Sequence, residues 1–141
     1  MTRTIPFGTL PVKISDTRQE MGLRAADEIA AAIRNVLSQK ETCNVIFAAA
    51  PSQNEVLAAL IARTDIKWGR VNAFHMDEYI GLAPDAPQGF ANFLRAAIFD
   101  RVPLRTVNCL DGAAASRDAA AECAQIGRAH VRTPVTTPHL V

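Results

Sequence analysis

Short apolar runs alternate with longer amphipathic stretches along most of the chain. The runs cover residues 44–50, 71–75 and 106–110, and continuous runs of this length are typical of strands that are covered on both faces of a sheet. Because parallel strands need a crossover connection, usually a helix, runs that alternate with helices predict a parallel sheet. The pattern therefore predicts an α/β fold, in a Rossmann-like three-layer αβα arrangement with a mainly parallel sheet. Residues 1–15 read as an extended lead-in, with an edge strand at 12–14.

Three amphipathic helices are predicted next to these runs. Thr17 and Glu20 have the spacing of a capping box at the start of the first helix, and Ser52 and Glu55 have it at the start of the second. The expected buried stripes are Met21, Ala25, Ile29, Ile33 and Val36 in the first helix, Val56, Leu57, Leu60 and Ile61 in the second, and Phe90, Phe93, Leu94, Ala97 and Ile98 in the third. A further, alanine-rich helix is expected over residues 116–125.

The composition is that of one folded domain. The chain has 141 residues, of which 49% are hydrophobic, and a net charge of +1, which excludes a disordered chain and indicates no nucleic-acid-binding surface. No apolar run is long enough to span a membrane, and the N-terminus lacks the apolar segment of a signal peptide. Cys43, Cys109 and Cys123 are widely spaced, which favours reduced thiols in a cytoplasmic protein over a disulfide framework or a zinc site.

Two adjacent carboxylates, Asp77 and Glu78, follow directly on the run 71–75, and Gly81 provides a place for the chain to turn. The carboxyl ends of strands in an open parallel sheet are where ligands bind. The spacing alone favours the simpler interpretation, in which the acidic pair is the solvated start of a loop, since Asp and Glu are mostly exposed. The alternative is that the two carboxylates, together with Tyr79, belong to a binding or catalytic site.

His75 lies two residues before Asp77, so the two side chains share a face of the predicted strand. This spacing permits a His–Asp proton relay. The preferred interpretation is a strand histidine that packs against the next layer of the fold, which is the more common place for a single histidine.

The turn between the first buried strand and the second helix is a candidate anion site. Pro51 ends the strand, and a helix N-terminus offers free N–H groups and a positive dipole end to an anion. Ser52, Gln53 and Asn54 add side-chain donors, whereas Glu55 brings a negative charge that competes with an anion. Anion binding and simple helix capping by Ser52 are both open from the sequence.

The segment Phe74–Leu82 resembles the MDEY-x-GL signature of glucosamine-6-phosphate deaminases, a branch of the wider group of sugar-phosphate isomerases and 6-phosphogluconolactonases. The resemblance is dense over this segment and extends more weakly from about Met21 to Gln125. The lactonase branch typically has arginine after the Asp-Glu pair. Tyr79 at this position therefore points to the deaminase branch.

The resemblance implies that an amino sugar phosphate is converted to a keto sugar phosphate and ammonia, by movement of a proton between adjacent carbons. It makes Asp77 the general base, held over the sugar carbon and partly screened from water. It makes Glu78 a supporting carboxylate. It gives His75 no role, and it implies neither a cofactor nor a metal.

The same resemblance makes the turn at residues 50–54 a phosphate loop. The substrate-binding candidates are therefore Ser52, Gln53 and Asn54, with Tyr79 orienting the loop after the acidic pair. The family's glycines, which let a backbone approach a phosphate closely, are missing here. We therefore expect weakened phosphate binding or a changed ligand.

In the resembled family the ring-opening histidine lies in a later glycine-rich segment that contains Asp-Gly-His, and this chain has no such segment. We therefore expect a truncated, N-terminal part of the domain that is inactive on its own and whose sheet is incomplete. A 6-phosphogluconolactonase-like hydrolase and a non-catalytic sugar-phosphate-binding module are the alternatives. The expected partner is a small sugar phosphate, with no nucleic acid and no membrane, and the sequence leaves a homo-oligomer open.

Residues 126–141 do not continue the pattern of the domain. They contain no acidic residue, no aromatic residue and two prolines, and Ile126–Thr136 resembles the translation of a common short-read sequencing adapter. We therefore expect the domain to occupy residues 1–125, and the natural protein to continue differently after Gln125. The histidines of this tail are given no metal-binding role.

Overall fold

The computed structural model describes residues 3–112 and Ala124, and it contains two separate sheets. The first is an antiparallel hairpin, and the second is a parallel sheet of three strands, so the predicted α/β fold with a parallel sheet is confirmed. The strands are β1 (Arg3–Phe7) and β2 (Leu10–Ile14) in the hairpin, and β3 (Cys43–Phe47), β4 (Val71–His75) and β5 (Thr106–Asn108) in the parallel sheet, with β4 in the centre.

Helices occupy the connections between the parallel strands and precede the first of them. They are α1 (Arg18–Gln39), α2 (Asn54–Ile61) and α3 (Phe90–Leu94), with short 3-10 turns at Pro51–Gln53 and Trp68–Arg70 and a π-helical continuation of α3 at Arg95–Phe99. No helix in the described ranges has the length and apolar character needed to cross a bilayer. The alanine-rich helix predicted over 116–125, of which only Ala124 is described, and the predicted boundary after Gln125 lie outside these ranges.

The predicted extended lead-in is a hairpin, and the edge strand expected at 12–14 forms part of β2. Phe7 pairs with Leu10, so the turn has two central residues. Gly8 takes a φ of 61°, which is the backbone of a type II′ turn and favours glycine at the first central position. The side chain of Phe7 is 79% exposed, so the hairpin buries little of its apolar surface.

Both ends of α1 are held by specific hydrogen bonds. Thr17 caps the helix as predicted, since its Oγ1 accepts from the N–H of Glu20 at 3.1 Å. In a capping box the Glu20 side chain would accept from the N–H of Thr17. Here it accepts from the N–H of Asp16 instead. At the other end the Arg70 guanidinium donates to three carbonyl groups that follow or close the last turn, those of Leu37, Lys40 and Glu41.

The buried face of α1 is rotated from the predicted stripe. The buried residues are Gly22, Ala26, Ala30, Ile33 and Leu37, so of the predicted set only Ile33 is fully buried, and Met21 is 42% exposed. Ile29 and Val36 of the predicted stripe pack partly buried against the core, whereas Met21 was wrong because α1 packs closely on α2, and close packing selects small side chains. A Cβ added to Gly22 would lie 2.5 Å from the Cβ of Glu55.

The two faces of the parallel sheet differ. Val71, Ala73 and His75 of β4 are fully buried, and the Phe47 ring meets Phe99 of the α3 continuation edge-on at 5.4 Å. On the opposite face, side chains that the sequence predicted to be covered are only half-buried, and polar groups bridge the strands there. Asn72 donates to Asn44 at 2.8 Å and accepts from Thr106 at 3.0 Å.

In the other two helices, burial of the central residues of the predicted stripes is confirmed. Leu57 and Leu60 of α2 are buried, as are Leu94 and Ile98 of the third helix.

We expect the substitution Gly22→Ala to lower the free energy of unfolding of the chain. Overpacking of this kind costs about 1–3 kcal/mol, which exceeds the gain of about 1 kcal/mol that alanine has over glycine in a helix. The measurement is urea unfolding followed by circular dichroism. Ala31→Gly, at an exposed position of α1, is the control for helix propensity alone. A rise in stability for Gly22→Ala would show that α1 and α2 are not in close contact at this point.

Candidate functional site

The chain segments that follow β3 and β4 leave the sheet at the same edge. Phe47 is paired with His75, and the N–H of Met76 donates to the carbonyl of Phe47 at 3.1 Å. Gly81 takes a φ of 82°, as expected for a turn, and its N–H donates to the carbonyl of Gly112 at 2.5 Å. The edge therefore brings together the turn at 50–54, the acidic pair and the segment after β5.

Asp77 is exposed, as are Met76 and Tyr79, whereas His75 and the side chain of Glu78 are enclosed. The side chain of Glu78 is only 8% exposed and that of His75 is 0% exposed. The expectation that Asp77 is partly screened from water is therefore wrong for this structure. Its carboxylate is presented to solvent at the sheet edge by a backbone that is held on both sides.

The carboxylate of Glu78 is used inside the fold. It accepts hydrogen bonds from the backbone N–H groups of Tyr79, Phe90 and Ala91 at 2.9 to 3.0 Å. The residue that precedes α3, Gly89, has no side chain with which to cap the helix, so Glu78 supplies the missing cap. Burial alone would raise the pKa of Glu78, but these N–H donors, with a smaller contribution from His75, hold that pKa below its usual value.

His75 is completely buried, and its ring nitrogens face Leu110 and Glu78. Nδ1 accepts from the N–H of Leu110 at 3.3 Å, and Nε2 lies 3.8 Å from Oε2 of Glu78. The preferred interpretation of His75 as a packed strand histidine agrees with this burial. Burial lowers the pKa of His75, while the charges of Glu78 and Asp77 act in the opposite direction.

The turn at 50–54 does not have the predicted capping box. Gln53 occupies the cap position of α2 without a side-chain hydrogen bond, and Ser52 is exposed. The reason is that Pro51 starts a 3-10 turn, in which the N–H of Gln53 donates to Ala50 and that of Asn54 donates to Pro51. Two backbone donors that an anion would need are therefore already used.

The charge of Glu55 is paired with a residue that the sequence analysis missed. Arg18 at the start of α1 donates from Nε and Nη2 to the two carboxylate oxygens of Glu55, each at 2.8 Å. This hydrogen-bonded ion pair holds the pKa of Glu55 below its usual value. Glu55 therefore repels an anion less than the sequence suggested. No local spacing could have revealed the pair, since its members are 37 positions apart.

Tyr79 is 55% exposed, and its ring packs on that of Phe90 with centroids 4.7 Å apart. This contact agrees with the expectation that Tyr79 orients the loop after the acidic pair.

A cleft of about 150 Å³ lies between the start of α3 and the segment after β5. Among the predicted site residues only Glu78 lines it, together with Leu82, Asn92, Arg95, Cys109 and Asp111. Apart from Leu82, which ends the motif at residues 74–82, these residues come from separate parts of the chain that no spacing rule connects. Within the described ranges, no group of three or more His, Cys, Asp or Glu side chains is placed to hold a metal ion.

Solved structures define the class of protein that has this fold. The 6-phosphogluconolactonase of Thermotoga maritima matches 86% of this chain and 53% of its own, with a TM-score of 0.71 and 18% identity. A monomeric glucosamine-6-phosphate deaminase matches 84% of this chain and 48% of its own, with a TM-score of 0.67 and 19% identity. The fold is thus the Rossmann-type α/β fold of these sugar-phosphate enzymes.

Sequence relatives are more specific than the fold. The glucosamine-6-phosphate deaminase of Lactobacillus helveticus is 32% identical over 60% of this chain and 34% of its own, and that of Tolumonas auensis is 38% identical over 50% of this chain and 26% of its own. No protein-family model matches. The resemblance found from residues 74–82 is confirmed: the chain is similar to part of the glucosamine-6-phosphate deaminases, and the match spans about a quarter to a third of the length of these relatives.

We expect the stability of the chain to fall as the pH drops from 7 toward 5, because of His75. Its folded-state pKa lies below the usual 6.5, so the unfolded chain binds the proton first and acidification favours unfolding. The slope is at most about 1.4 kcal/mol per pH unit for one proton, and it ends where the folded histidine titrates.

The matched variant for this measurement is His75→Asn, which removes the titrating ring and leaves His130 and His139 unchanged. Urea unfolding between pH 5 and 7 should give a flatter profile for the variant. Identical profiles for the two proteins would contradict the assignment to His75.

Proposed function

We propose that this chain forms the part of a glucosamine-6-phosphate deaminase-like protein that carries the general base, Asp77. The observation that carries the proposal is the contrast between the two adjacent carboxylates. Glu78 is enclosed and committed to three backbone N–H groups, whereas Asp77 is exposed at the carboxyl edge of the sheet, where ligands bind in this type of fold. The sequence relatives supply the reaction class.

In the proposed reaction, the Asp77 carboxylate accepts a proton from one carbon of the amino sugar phosphate and returns it to the neighbouring carbon. This leaves a carbon–nitrogen double bond, to which water adds. The carbon–nitrogen bond then breaks, and ammonia and a keto sugar phosphate are released. A general base must be ionised and within hydrogen-bond reach of its substrate. Exposure and a held backbone support access of a substrate to Asp77. Glu78 supports the base by fixing the backbone beside it.

The phosphate of the substrate would meet side chains of the turn at 50–54 instead of its backbone. Ser52 and Asn54 are exposed there, and Gln53 is next to them, while two backbone N–H groups of the turn are already bonded. Arg18 offsets the charge of Glu55, which supports an anion at this edge. We propose Tyr79 as the side chain that borders the sugar.

The deaminase-like proposal is preferred over the two alternatives. Tyr79 stands where the lactonase branch typically has arginine, and the structural likeness to lactonases is one of fold. The loss of backbone donors at the turn keeps a sugar-phosphate-binding module without catalysis as the second candidate. The free thiols of Cys43 and Cys109 support a reducing, cytoplasmic compartment.

We expect Asp77→Asn to lower ammonia release from glucosamine 6-phosphate by about 10²–10⁴-fold, which is the range for loss of a general base. The assay uses the full-length product of the source gene, with the 141-residue chain beside it. The control is Asp85→Asn, which removes an exposed carboxylate from the following loop and should leave the rate unchanged.

Three other outcomes would contradict the proposal in different ways. Unchanged ammonia release by Asp77→Asn would remove Asp77 as the base. Hydrolysis of 6-phosphogluconolactone without ammonia release would favour the lactonase alternative. Thermal stabilisation by glucosamine 6-phosphate without any turnover would favour the binding module.

A further inference from the structure

We propose that His75 is a positioning residue, whose buried imidazole connects the end of β5 to the carboxylate of Glu78 and thereby fixes the segment that presents Asp77. The reaction that Asp77 performs rests on the proposed function. The connection itself is a property of the fold, and its test needs no enzymatic activity.

The hydrogen-bond pattern determines the tautomer of His75. Nδ1 accepts from the N–H of Leu110 at 3.3 Å, so in the neutral ring the proton is on Nε2. Nε2 is buried and has no hydrogen-bond partner. A buried N–H without an acceptor is costly. Oε2 of Glu78 is a charged acceptor 3.8 Å away, and a movement of about 1 Å would bring the two atoms into hydrogen-bond range.

Glu78 extends this connection to α3. Its Oε1 accepts from the N–H of Phe90 at 3.0 Å and its Oε2 from that of Ala91 at 2.9 Å. Oε2, the oxygen that faces His75, therefore also caps the helix. Glu78 thus joins the end of β4 to the start of α3, and His75, which accepts from Leu110 after β5, lies 3.8 Å from the same carboxylate.

Asp77 lies between these two residues in the sequence, and its neighbours are bonded on both sides. The N–H of Met76 donates to Phe47 at 3.1 Å, and the N–H of Tyr79 donates to Glu78 at 3.0 Å. The position of the Asp77 backbone is therefore set by the groups that hold His75 and Glu78, while its own carboxylate stays exposed.

The first test is spectroscopic and uses the ¹⁵N-labelled 141-residue chain. Long-range ¹H–¹⁵N spectra report the tautomer of each histidine, and the signals that vanish in His75→Asn identify His75. We expect the Nε2–H form at neutral pH. The Nδ1–H form would overturn the proposal.

The second test determines whether the charge of Glu78 affects the His75 ring. The charged groups facing the ring are Glu78 and Asp77, of which Glu78 acts more strongly. Glu78→Gln removes the charge and keeps the shape of the side chain, so we expect the His75 ring signals to shift and the titration of His75 to move to lower pH. Asp85→Asn is the control and should change neither. Ring signals and a titration of His75 that do not change in Glu78→Gln would also overturn the proposal.

Hydrogen exchange distinguishes the contribution of Nδ1 of His75 from that of Nε2. Glutamine at position 75 can place an N–H near the position of Nε2, whereas asparagine reaches only the position of Nδ1. We expect the amide of Ala91 to exchange about tenfold faster in His75→Asn, the effect of weakening one hydrogen bond, and to return toward the original rate in His75→Gln. Equal rates in the two variants would show that His75 does not act through Glu78.

Discussion

The candidate site depends on the three hydrogen bonds that the Glu78 carboxylate accepts. A carboxylate taken out of water must be compensated, and here the compensation comes from three backbone N–H groups. Two of them belong to the start of α3, a helix of five residues whose preceding glycine cannot cap it. The continuation of this helix brings Ile98 and Phe99 into the core. The same carboxylate therefore joins the site to the packing of the domain.

The adjacent carboxylates Asp77 and Glu78 have different environments at this edge. Glu78 turns inward and Asp77 turns outward, because the chain has left the sheet and each side chain follows the local backbone. Exposure keeps Asp77 available to a ligand, and burial keeps Glu78 in one place. A second carboxylate near the edge, that of Glu55, is paired with Arg18, so Glu55 and Glu78 are both bonded to partners while Asp77 is exposed.

Features with local causes could be predicted from the sequence. The three strand runs, the Thr17 cap and the centres of the helical stripes each depend on neighbouring positions, and the motif at residues 76–82 identified the acidic pair. The stripe of α1 could not be predicted from size and hydrophobicity, since contact with α2 selects Gly22 and small side chains over Met21. The cap by Ser52 failed because Pro51 starts a 3-10 turn. The Leu110 partner of His75 and the Arg18 partner of Glu55 come from distant segments that no spacing rule connects.

The topology of the two sheets also predicts the order in which they form during folding. In the hairpin, β1 pairs with the strand that follows it across a two-residue turn, whereas pairing in the parallel sheet joins residues 28 and 34 positions apart. Pairing over such separations must overcome the entropy of closing a long loop before its contacts form, so it is slow relative to hairpin formation, which takes about 1–10 μs. We therefore expect the amides of Asn44 and Asn72 to meet after the hairpin has formed. Until then the edges of β3, β4 and β5 are open to pairing with other chains, so folding at low protein concentration and low temperature should give the highest yield.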